Sequence, residues 1–233
     1  MASHQDGGRD RINIAIDGPA GAGKSTVARN VAETLHYIYI DTGAMYRAVT
    51  LSALRSGISP DDAEQIGRHA ETIDITLRPG PTGQVVLLNG ADITRDIRSR
   101  EVTLHVSQVA AVERVRVRLV TMQRLLAQSK GVVMDGRDIG SHVLPDAELK
   151  VFLTASVQER ALRRFKELDG REDITLSQLE LEIAERDRKD QQRDISPLVC
   201  ASDAIVLDST SMTIDEVADN IVNLSRTKLA EAK

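Results

Sequence analysis

Residues 12–35 read "INIAIDGPAGAGKSTVARNVAETL", and this stretch passes from one periodicity to another across a glycine-rich loop. Isoleucines at every second position, followed by Asp17, are typical of a buried β-strand. After the loop, apolar residues recur every four positions and predict one face of a helix: Val27, Val31 and Leu35. The stretch therefore predicts a strand, a loop and a helix, in that order.

The loop itself reads "GPAGAGKS" and fits the pattern G-x-x-x-x-G-K-[ST] at every position. Glycines let successive backbone N–H groups turn inward, and the helix that begins near Lys24 adds the positive end of its dipole. Lys24 supplies a mobile charge, and Ser25 offers a hydroxyl where Mg²⁺ bridges two phosphates. We expect a nucleoside triphosphate here rather than a plain turn, with these candidate contacts: Gly18, Pro19, Ala20, Gly21, Ala22, Gly23, Lys24, Ser25 and Thr26.

The composition describes a chain of 233 residues, long enough for one large core and a small inserted domain. Hydrophobic residues make up 41% and charged residues 28%, and no apolar run approaches the length of a membrane span. The polar head, residues 1–10, is expected to be disordered and lacks the features of a signal or transit peptide. We therefore expect a cytoplasmic protein with no membrane partner.

The net charge and the aromatic content indicate which kinds of molecule the protein binds. A net charge of −5 with 2% aromatic residues argues against nucleic acid, because proteins that bind single strands combine basic grooves with aromatic stacking. Cys200 is the only cysteine, which excludes an internal disulfide and a cysteine-based zinc cluster. The few aromatic residues and the scattered charges favour a monomer that binds small phosphate-bearing molecules.

Four more short β-rich runs follow the first strand and are separated by helical stretches: "YIYID" (37–41), "GVVMD" (131–135), "LKVFLT" (149–154) and "DAIVLD" (203–208). Near-continuous apolar strands separated by helices predict a parallel sheet covered on both faces. Together with the loop, they predict an α/β fold of the P-loop NTPase class with a five-stranded parallel sheet. In such folds ligands bind at the carboxyl ends of the strands.

Two helical patterns are clear from their periodicity. Residues 107–128 carry apolar side chains at spacings of three and four: Val109, Val112, Val115, Leu119, Met122 and Leu126. Near the end of the chain, Thr213 with Glu216 three residues later has the pattern of a capping box at a helix start.

Two stretches depart from the alternation of strand and helix. In residues 59–100, "TIDITL" and "GQVVLLNG" flank "RPGPTG", which predicts a hairpin and hence a small inserted lobe with antiparallel strands. The core is then formed by residues 11–58 and 101–233. The charged run from Asp169 to Ile195 has too little apolar content to lie in the core, and we expect a short lid over residues 170–195.

Charged side chains follow two of the predicted strands. "DTGAMYR" comes directly after the second strand, so Thr42 can cap a short helix while Arg47 projects from its first turns. "VVMDGRDIG" is similar to the strand of P-loop enzymes that ends in an acidic residue on the Mg²⁺ side, here Asp135. Arg137 suits bidentate phosphate recognition, and Asp138 can accept from an amino or hydroxyl group. The alternative for the first segment is a strand-to-helix turn with a solvent-facing arginine. The alternative for the second is a surface Arg–Asp ion pair of little energetic weight.

Further arginines follow the later strands. "ERDRKDQQRD" places Arg186, Asp190 and Arg193 at i, i+4 and i+7, which is one helical face. "ERALRRF" begins a second arginine-dense helix with Arg160. Such runs are often solvated faces, but local positive charge in an acidic chain favours small anionic substrates.

Taken together, six stretches resemble the bacterial cytidylate kinases, which are nucleoside monophosphate (NMP) kinases: "DGPAGAGKST", "DTGAMYRA", "SQVA" with "VR", "DGRDIG", "ERDRKDQQRDISPL" and "DAIVLDST". The resemblance runs from Ile12 to about Leu224. It implies an NMP-binding lobe and a lid, ATP and CMP or dCMP as substrates, Mg²⁺ as the cofactor, and in-line transfer of the γ-phosphoryl group.

The resemblance also implies roles for individual residues. The CMP-binding set is Thr42, Arg47, Ser107, Arg116, Arg137, Asp138, Arg186, Asp190 and Arg193. Within it, the cytosine edge is approached by Ser107, Arg116 and Asp138, the ribose by Asp190, and the α-phosphate by Arg47, Arg137 and Arg193. Arg160 lies toward ATP, Ser25 and Asp135 lie toward the metal ion, and the catalytic set is Lys24, Arg137, Arg186 and Arg193.

Two other functions stay open at this point. A P-loop kinase for another small acceptor, such as UMP, AMP or a metabolite, would share the loop and the arginines. A hydroxyl acceptor would need a base, for which Asp41 or Asp135 could serve. An ATP-binding regulatory module would bind ATP without acceptor-dependent release of ADP, and it leaves the arginines unexplained.

Overall fold

The computed structural model describes residues 11–80, 83–168 and 174–231, and the chain divides into two compact units. The first unit comprises Met1–Tyr39, Leu126–Gln192 and Ser196–Lys233. The second unit comprises Ile40–Leu125 and Arg193–Ile195. The head that was expected to be disordered, residues 1–10, lies outside the described residues.

The described residues form eight strands and eight α-helices. The strands are β1 (Asn13–Asp17), β2 (Ile38–Asp41), β3 (Ile75–Gly80), β4 (Gly83–Leu88), β5 (Ala91–Asp92), β6 (Val132–Gly136), β7 (Leu149–Thr154) and β8 (Ile205–Asp208). The helices are α1 (Lys24–Leu35), α2 (Thr42–Arg55), α3 (Ala63–Thr72), α4 (Arg100–Val109), α5 (Glu113–Ala127), α6 (Val157–Leu168), α7 (Leu176–Gln192) and α8 (Ile214–Glu231). A 3₁₀ turn occupies Asp96–Arg98, and a π-helical turn occupies Ile139–Val143. Across this described part of the chain, every helix is too short or too polar to span a bilayer.

Five strands form one sheet in the order β2-β6-β1-β7-β8, and β1 pairs in parallel with both β6 and β7. This confirms the predicted α/β fold with a five-stranded parallel sheet. β1 is buried along its whole length, as its β-branched run predicts. The register places Asp17 opposite Gly136 and Phe152, so the central strands end at one edge. The segments that follow β1 and β6 therefore begin side by side.

The core of the first unit lies between the sheet and two helices, α1 and α8. It contains Ile14, Ile16, Val27, Val31, Leu149, Leu153, Ile221 and Val222, among others. Full burial of one such side chain contributes roughly 1.5 to 3 kcal/mol relative to exposure. The predicted capping box before α8 is confirmed, because Thr213 N–H donates to Glu216 Oε2 at 2.8 Å and Glu216 N–H donates to Thr213 Oγ1 at 3.2 Å.

Helix α7 packs on α6 through a small core of its own: Ala161, Leu168, Ile174, Leu179 and Ile183. The expectation that the charged run is too polar to be buried is therefore wrong for this helix. Leu179 and Ile183 lie four residues apart and form a narrow apolar stripe that the surrounding charges conceal in the sequence. The function of residues 170–195 as a lid stays a prediction, and residues 169–173 lie outside the described part.

The second unit contains an antiparallel sheet in the order β3-β4-β5. The hairpin that the sequence predicts within residues 59–100 is present as β3 and β4, while residues 81 and 82 of its turn lie outside the described residues. The core of this unit draws on α2 to α5 as well: Met45, Val49, Ile66, Val102 and Leu119. The compact unit therefore extends well beyond 59–100, and the boundaries of a nucleotide-binding lobe stay a prediction.

Asp41, rather than Thr42, caps α2. Its carboxylate accepts from Ala44 N–H at 2.8 Å, and Thr42 is the first helical residue. Aspartate and threonine are both good N-caps, so the sequence pattern alone does not fix the position to one residue. The helix is also longer than the short one expected, since it runs for 14 residues.

The continuous helix predicted over residues 107–128 is broken into α4 and α5 at residues 110–112. The buried guanidinium of Arg116 donates from Nη1 to the Ala110 carbonyl oxygen at 3.2 Å and satisfies an acceptor at the break. The apolar periodicity continues across the break because Val109 and Val115 enter the same core.

The first testable prediction concerns Gly18, which has a φ of +148° and whose added Cβ would lie 1.9 Å from the Leu153 carbonyl oxygen. Gly18→Ala should lower the free energy of unfolding by about 3 kcal/mol or more, because steric overlap adds to backbone strain. Gly57→Ala is the matched control, since Gly57 has a φ of +70° but an added Cβ there meets nothing within 4 Å. Gly57→Ala should lower the free energy of unfolding by only about 1 to 2 kcal/mol. Urea denaturation measures both, and equal losses would contradict the close approach of the loop to β7.

Candidate active site

The loop between β1 and α1 brings backbone N–H groups to the carboxyl edge of the sheet. Gly21 and Gly23 have φ of +75° and +83°, in the left-handed region that favours glycine. Gly23 is the N-cap of α1 and has no side chain to accept from the N–H groups of the first turn. The positive end of the helix is therefore open to an anion.

Lys24, the first residue of α1, is buried, and its Nζ donates to the Pro19 carbonyl oxygen at 2.7 Å. Burial lowers the pKa of Lys24 well below its ordinary value, and the charges of Arg137 and Arg186 lower it further. The Asp135 carboxylate opposes this shift. The three cations Lys24, Arg137 and Arg186 are called the cationic cluster from here on.

Within the cationic cluster, the two arginines differ in their surroundings. Burial, followed by the charge of Arg137, lowers the pKa of Arg186 to about 10. The Nε of Arg186 is buried and has no hydrogen-bond partner among the described residues. Burial also opposes the charged form of Arg137, but Asp190 accepts from its Nε at 2.8 Å and raises its pKa. A bound anion would relieve the repulsion between these cations, and it could satisfy the Arg186 donor.

The residues predicted on the metal side, Ser25 and Asp135, are in contact. Asp135 is the penultimate residue of β6 and has 4% of its surface exposed. Its two oxygens accept from Ser25 Oγ at 2.8 Å and from the Tyr39 hydroxyl at 2.9 Å. Hydroxyl and carboxylate oxygens are the donors that Mg²⁺ takes together with substrate phosphates. The pair therefore fits a metal ion that is bound with a nucleotide. Within the described chain, no group of three or more His, Cys, Asp or Glu residues is placed to hold a metal ion.

Asp17, at the end of β1, fixes the turn that follows Asp138. Its carboxylate accepts from the N–H groups of Ile139 and Gly140, both at 2.7 Å. Burial raises the pKa of Asp17 to about 6, and the charge of Asp138 adds to the rise. The two N–H groups and the charge of Lys24 act in the opposite sense. The carboxylate thus lies between the phosphate-binding loop and the predicted substrate-binding segment after β6.

Arg160, predicted on the ATP side, is buried and contacts the backbone of the loop. Its Nη1 donates to the Ala20 carbonyl oxygen at 2.7 Å and to Asp187 Oδ2 at 2.6 Å. Asp187 Oδ1 in turn accepts from Ala20 N–H at 2.9 Å. Arg160 therefore supports the loop from the protein side, and its contact with ATP stays a prediction.

The predicted CMP-binding residues are divided between the two units. The first unit holds Arg137, Asp138, Arg186 and Asp190, and Asp138 is buried directly after Arg137. Arg186 and Asp190 lie on α7, which ends at Gln192. The prediction that Arg193 continues their helical face is therefore wrong, because Arg193 lies beyond the end of the helix.

Five predicted CMP-binding residues belong to the second unit: Thr42, Arg47, Ser107, Arg116 and Arg193. Arg47 donates to the Ile97 carbonyl oxygen at 3.1 Å and to Thr103 Oγ1 at 2.9 Å. The Arg116 guanidinium is buried and lies 5.4 Å from the centroid of the Tyr46 ring, within the range of a cation–π interaction. Thr42 is buried at the start of α2, and Ser107 is half-buried on α4.

Three residues that contact the site were not identified from the sequence: Asp17, Tyr39 and Asp187. Asp17 carries a recognisable signal, because it is a carboxylate at the end of an apolar strand and directly before the loop. Tyr39 reads as one of several apolar strand residues in "YIYID". Asp187 is one of several charges in "ERDRKDQQRD", where its neighbours make it inconspicuous.

The parallel sheet, the glycine loop with its buried lysine, and the serine–aspartate pair at the strand ends define a P-loop nucleotide-binding protein. The sequence model of the family described as Cytidylate kinase matches residues 14–227. The chain is 53% identical over 222 residues to the cytidylate kinase of Lysinibacillus sphaericus (strain C3-41), covering 95% of this chain and 99% of that protein. It is 54% identical over 217 residues to the cytidylate kinase of Pediococcus pentosaceus, covering 92% and 96%. The chain belongs to the cytidylate kinase family.

Among solved structures, the chain is similar to an uncharacterized protein from Eubacterium ventriosum. The TM-score is 0.53 at 12% identity, covering 93% of this chain and 99% of that one. At this level of identity the likeness concerns the fold alone.

The second testable prediction is the pH dependence of Asp17. Since burial raises its pKa from 3.8 to about 6, the native protein binds more protons than the unfolded chain between these values. The contribution of Asp17 to the free energy of unfolding should therefore fall by roughly 3 kcal/mol as the pH rises from about 4 to about 6. Denaturation of wild type and of Asp17→Asn across this range measures this change. The free energy of unfolding of wild type minus that of Asp17→Asn should decrease as the pH rises.

Asp62→Asn is the control with the opposite sign. Asp62 caps α3, and its hydrogen bond from Gln65 N–H lowers its pKa, so its contribution to stability is lost as the pH falls. The difference between wild type and Asp62→Asn should grow with rising pH. If the free energy of unfolding of wild type minus that of Asp17→Asn stays constant or increases as the pH rises, the raised pKa of Asp17 is contradicted.

Proposed function

We propose that this protein transfers the γ-phosphoryl group of ATP to CMP or dCMP, which gives ADP and CDP or dCDP. The observation that carries the proposal is the cationic cluster, which places the buried Lys24 and two half-buried arginines, Arg137 and Arg186, at the carboxyl edge of the sheet beside a glycine loop. Such an arrangement is stable when anions share the site, and two nucleotides supply them. Membership of the cytidylate kinase family supports cytidylate as the acceptor.

The donor nucleotide binds at the loop. Its phosphates accept from loop N–H groups and from the Lys24 ammonium, which exchanges the Pro19 carbonyl for a charged partner. Ser25 and Asp135 would hold Mg²⁺, which would neutralise charge on the phosphates when it is bound. Tyr39 keeps the Asp135 carboxylate in one orientation through its own hydrogen bond.

The acceptor nucleotide binds near the segment that follows β6. Arg137 approaches its phosphate, Asp138 approaches the cytosine, and Asp190 approaches the ribose while it orients Arg137. The family resemblance implies that Arg47, Ser107 and Arg116 also belong to the acceptor-binding set.

Transfer of the γ-phosphoryl group requires positioning of the two nucleotides and neutralisation of their charge. The accepting phosphate oxygen is already ionised at neutral pH, so the reaction needs no general base. Lys24, Arg137 and Arg186 stabilise negative charge on the transferred group, and their fixed positions avoid reorganisation during the reaction. The family resemblance adds Arg193 to this set. Closure of residues 170–195 over the nucleotides would exclude water that hydrolyses ATP. A monomeric state and a cytoplasmic location stay predictions.

The third testable prediction concerns the choice of acceptor. In an assay that couples ADP release to a colour change, CMP and dCMP should support turnover well above UMP, AMP and a buffer blank. A kinase for another acceptor would instead respond best to that compound. ATP binding without any acceptor-dependent release of ADP would indicate a regulatory module and contradict the proposal.

Lys24→Ala tests the donor site in the same assay, and Lys189→Ala is its matched control. It should lower turnover by about 100-fold or more, since it removes a charge aimed at the transferred group. Lys189→Ala should leave turnover unchanged, because Lys189 is half exposed on α7. A Lys24→Ala variant with near-normal turnover would rule out the role of Lys24 at the phosphates.

A further inference from the structure

We propose that Asp187 is a positioning residue that couples α7 to the phosphate-binding loop through a closed ring of hydrogen bonds with Arg160 and Ala20. The inference rests on the proposed function, since the ring acts on the site where ATP binds. Asp187 belongs to none of the predicted binding or catalytic sets, and its contacts come from the structure alone.

The ring contains three hydrogen bonds among three buried residues. Asp187 Oδ1 accepts from Ala20 N–H at 2.9 Å, and Asp187 Oδ2 accepts from Arg160 Nη1 at 2.6 Å. The same Nη1 donates to the Ala20 carbonyl oxygen at 2.7 Å and closes the ring. Arg160 Nε adds a bond to the Ala155 carbonyl oxygen at 2.9 Å, directly after β7. Exposed fractions of 3%, 4% and 7% for Ala20, Arg160 and Asp187 leave little room for water to replace these partners.

The ring holds both polar groups of one loop residue. Ala20 lies in the first half of the loop, and its N–H and carbonyl oxygen are both bound by side chains from helices rather than by neighbouring loop residues. The next residue, Gly21, lies against the same helices, because a Cβ added there would be 3.2 Å from Arg160 Cβ and 3.6 Å from Ile183 Cδ1. The ring therefore fixes the position and the orientation of the loop backbone before the phosphates arrive.

The same ring places the substrate-binding side chains of α7. Arg186 directly precedes Asp187, and Asp190 follows it by three residues, so all three share a little more than one turn of helix. Apolar contacts through Leu179 and Ile183 hold the first half of α7 on α6. Asp187 connects the turn bearing Arg186 and Asp190 to the loop by its hydrogen bond from Ala20 N–H.

Stability alone is a weak reason for this arrangement. A buried ion pair often contributes no more than well-packed apolar residues of the same volume, because both charges lose their hydration. Two backbone partners on Ala20 add directional constraints that an apolar contact would not provide. The ring thus favours one arrangement of the loop and the helix.

The test compares four variants in steady-state kinetics: Asp187→Ala, Asp187→Asn, Arg160→Ala and the double variant Arg160→Ala/Asp187→Ala. Asp187→Ala should raise KM for ATP and lower kcat, together by about 10-fold or more, since a displacement of 1 Å can cost on the order of 100-fold. KM for CMP should change less than KM for ATP. Asp187→Asn keeps an oxygen for Ala20 N–H and should fall between wild type and Asp187→Ala.

The double variant separates a ring from two independent contacts. Removal of Arg160 alone leaves the Asp187 carboxylate buried without its partner. Asp187→Ala should therefore lower kcat/KM for ATP much less in the Arg160→Ala variant than in wild type. Additive effects on kcat/KM for ATP would contradict the coupling. Glu185→Ala is the matched control, because Glu185 forms an exposed pair with Arg188 on the same helix, and its kinetics should equal those of wild type.

A second readout does not depend on activity. The Ala20 amide should be protected from hydrogen exchange in the wild-type protein and should exchange faster by about 10-fold or more in Asp187→Ala, since its acceptor is gone. Asp187→Asn, which keeps an acceptor, should retain most of the protection. If Asp187→Ala does not fold, Asp187→Asn and Glu185→Ala still provide the comparison.

The outcomes distinguish failure of this inference from failure of the proposed function. A wild-type protein that releases no ADP in response to CMP defeats the proposed function, while the exchange of the Ala20 amide still tests the ring. An active wild type with unchanged KM for ATP and unchanged kcat in Asp187→Ala defeats the positioning role, even where the melting temperature falls. Unchanged exchange at Ala20 in Asp187→Ala defeats the ring itself.

Discussion

The repulsion between the buried Lys24 ammonium and two half-buried arginines at the carboxyl edge of the sheet is the constraint on which the first unit depends. Lys24 is removed from water beside Arg137 and Arg186, and each arginine makes the charge of the lysine more costly. A protein retains such a cluster when a ligand of opposite charge completes it. The glycine loop, the dipole of α1 and the cationic cluster all favour the same ligand, which is a chain of phosphates.

Carboxylates make this constraint compatible with a folded protein. Asp190 orients Arg137, Asp135 faces Lys24 while it holds Ser25, and Asp17 binds the turn after β6. Each of these carboxylates accepts from a defined donor, so the negative charges are fixed rather than free to collapse onto the cations. Asp187 on α7 is a further carboxylate of this kind, because it accepts from Ala20 N–H and from Arg160. The site is therefore a network of opposed charges whose positions the backbone sets in advance, which is how electrostatic preorganisation lowers a barrier.

The fold and the loop could be predicted from the sequence because their signals are local. The alternation in β1, the pattern of residues 18–25 and the capping box at Thr213 each lie within a short stretch, and the structure confirms them. Asp187 illustrates what could not be predicted. It meets Ala20 across 167 residues of sequence, and its own stretch contains too many charges to single it out. The helix break near Ala110 is similar, because a buried guanidinium, rather than a glycine or a proline, marks it.

The measurement that tests the account most directly is the pKa of the Lys24 ammonium group, followed by NMR with and without a non-hydrolysable ATP analogue. The account predicts a pKa clearly below the ordinary lysine value in the free protein, because burial and the two arginines disfavour the charge. It predicts a rise when the analogue binds, since phosphates offset both effects. A pKa near that of an exposed lysine in the free protein, or one that does not change on addition of the analogue, would contradict the central claim.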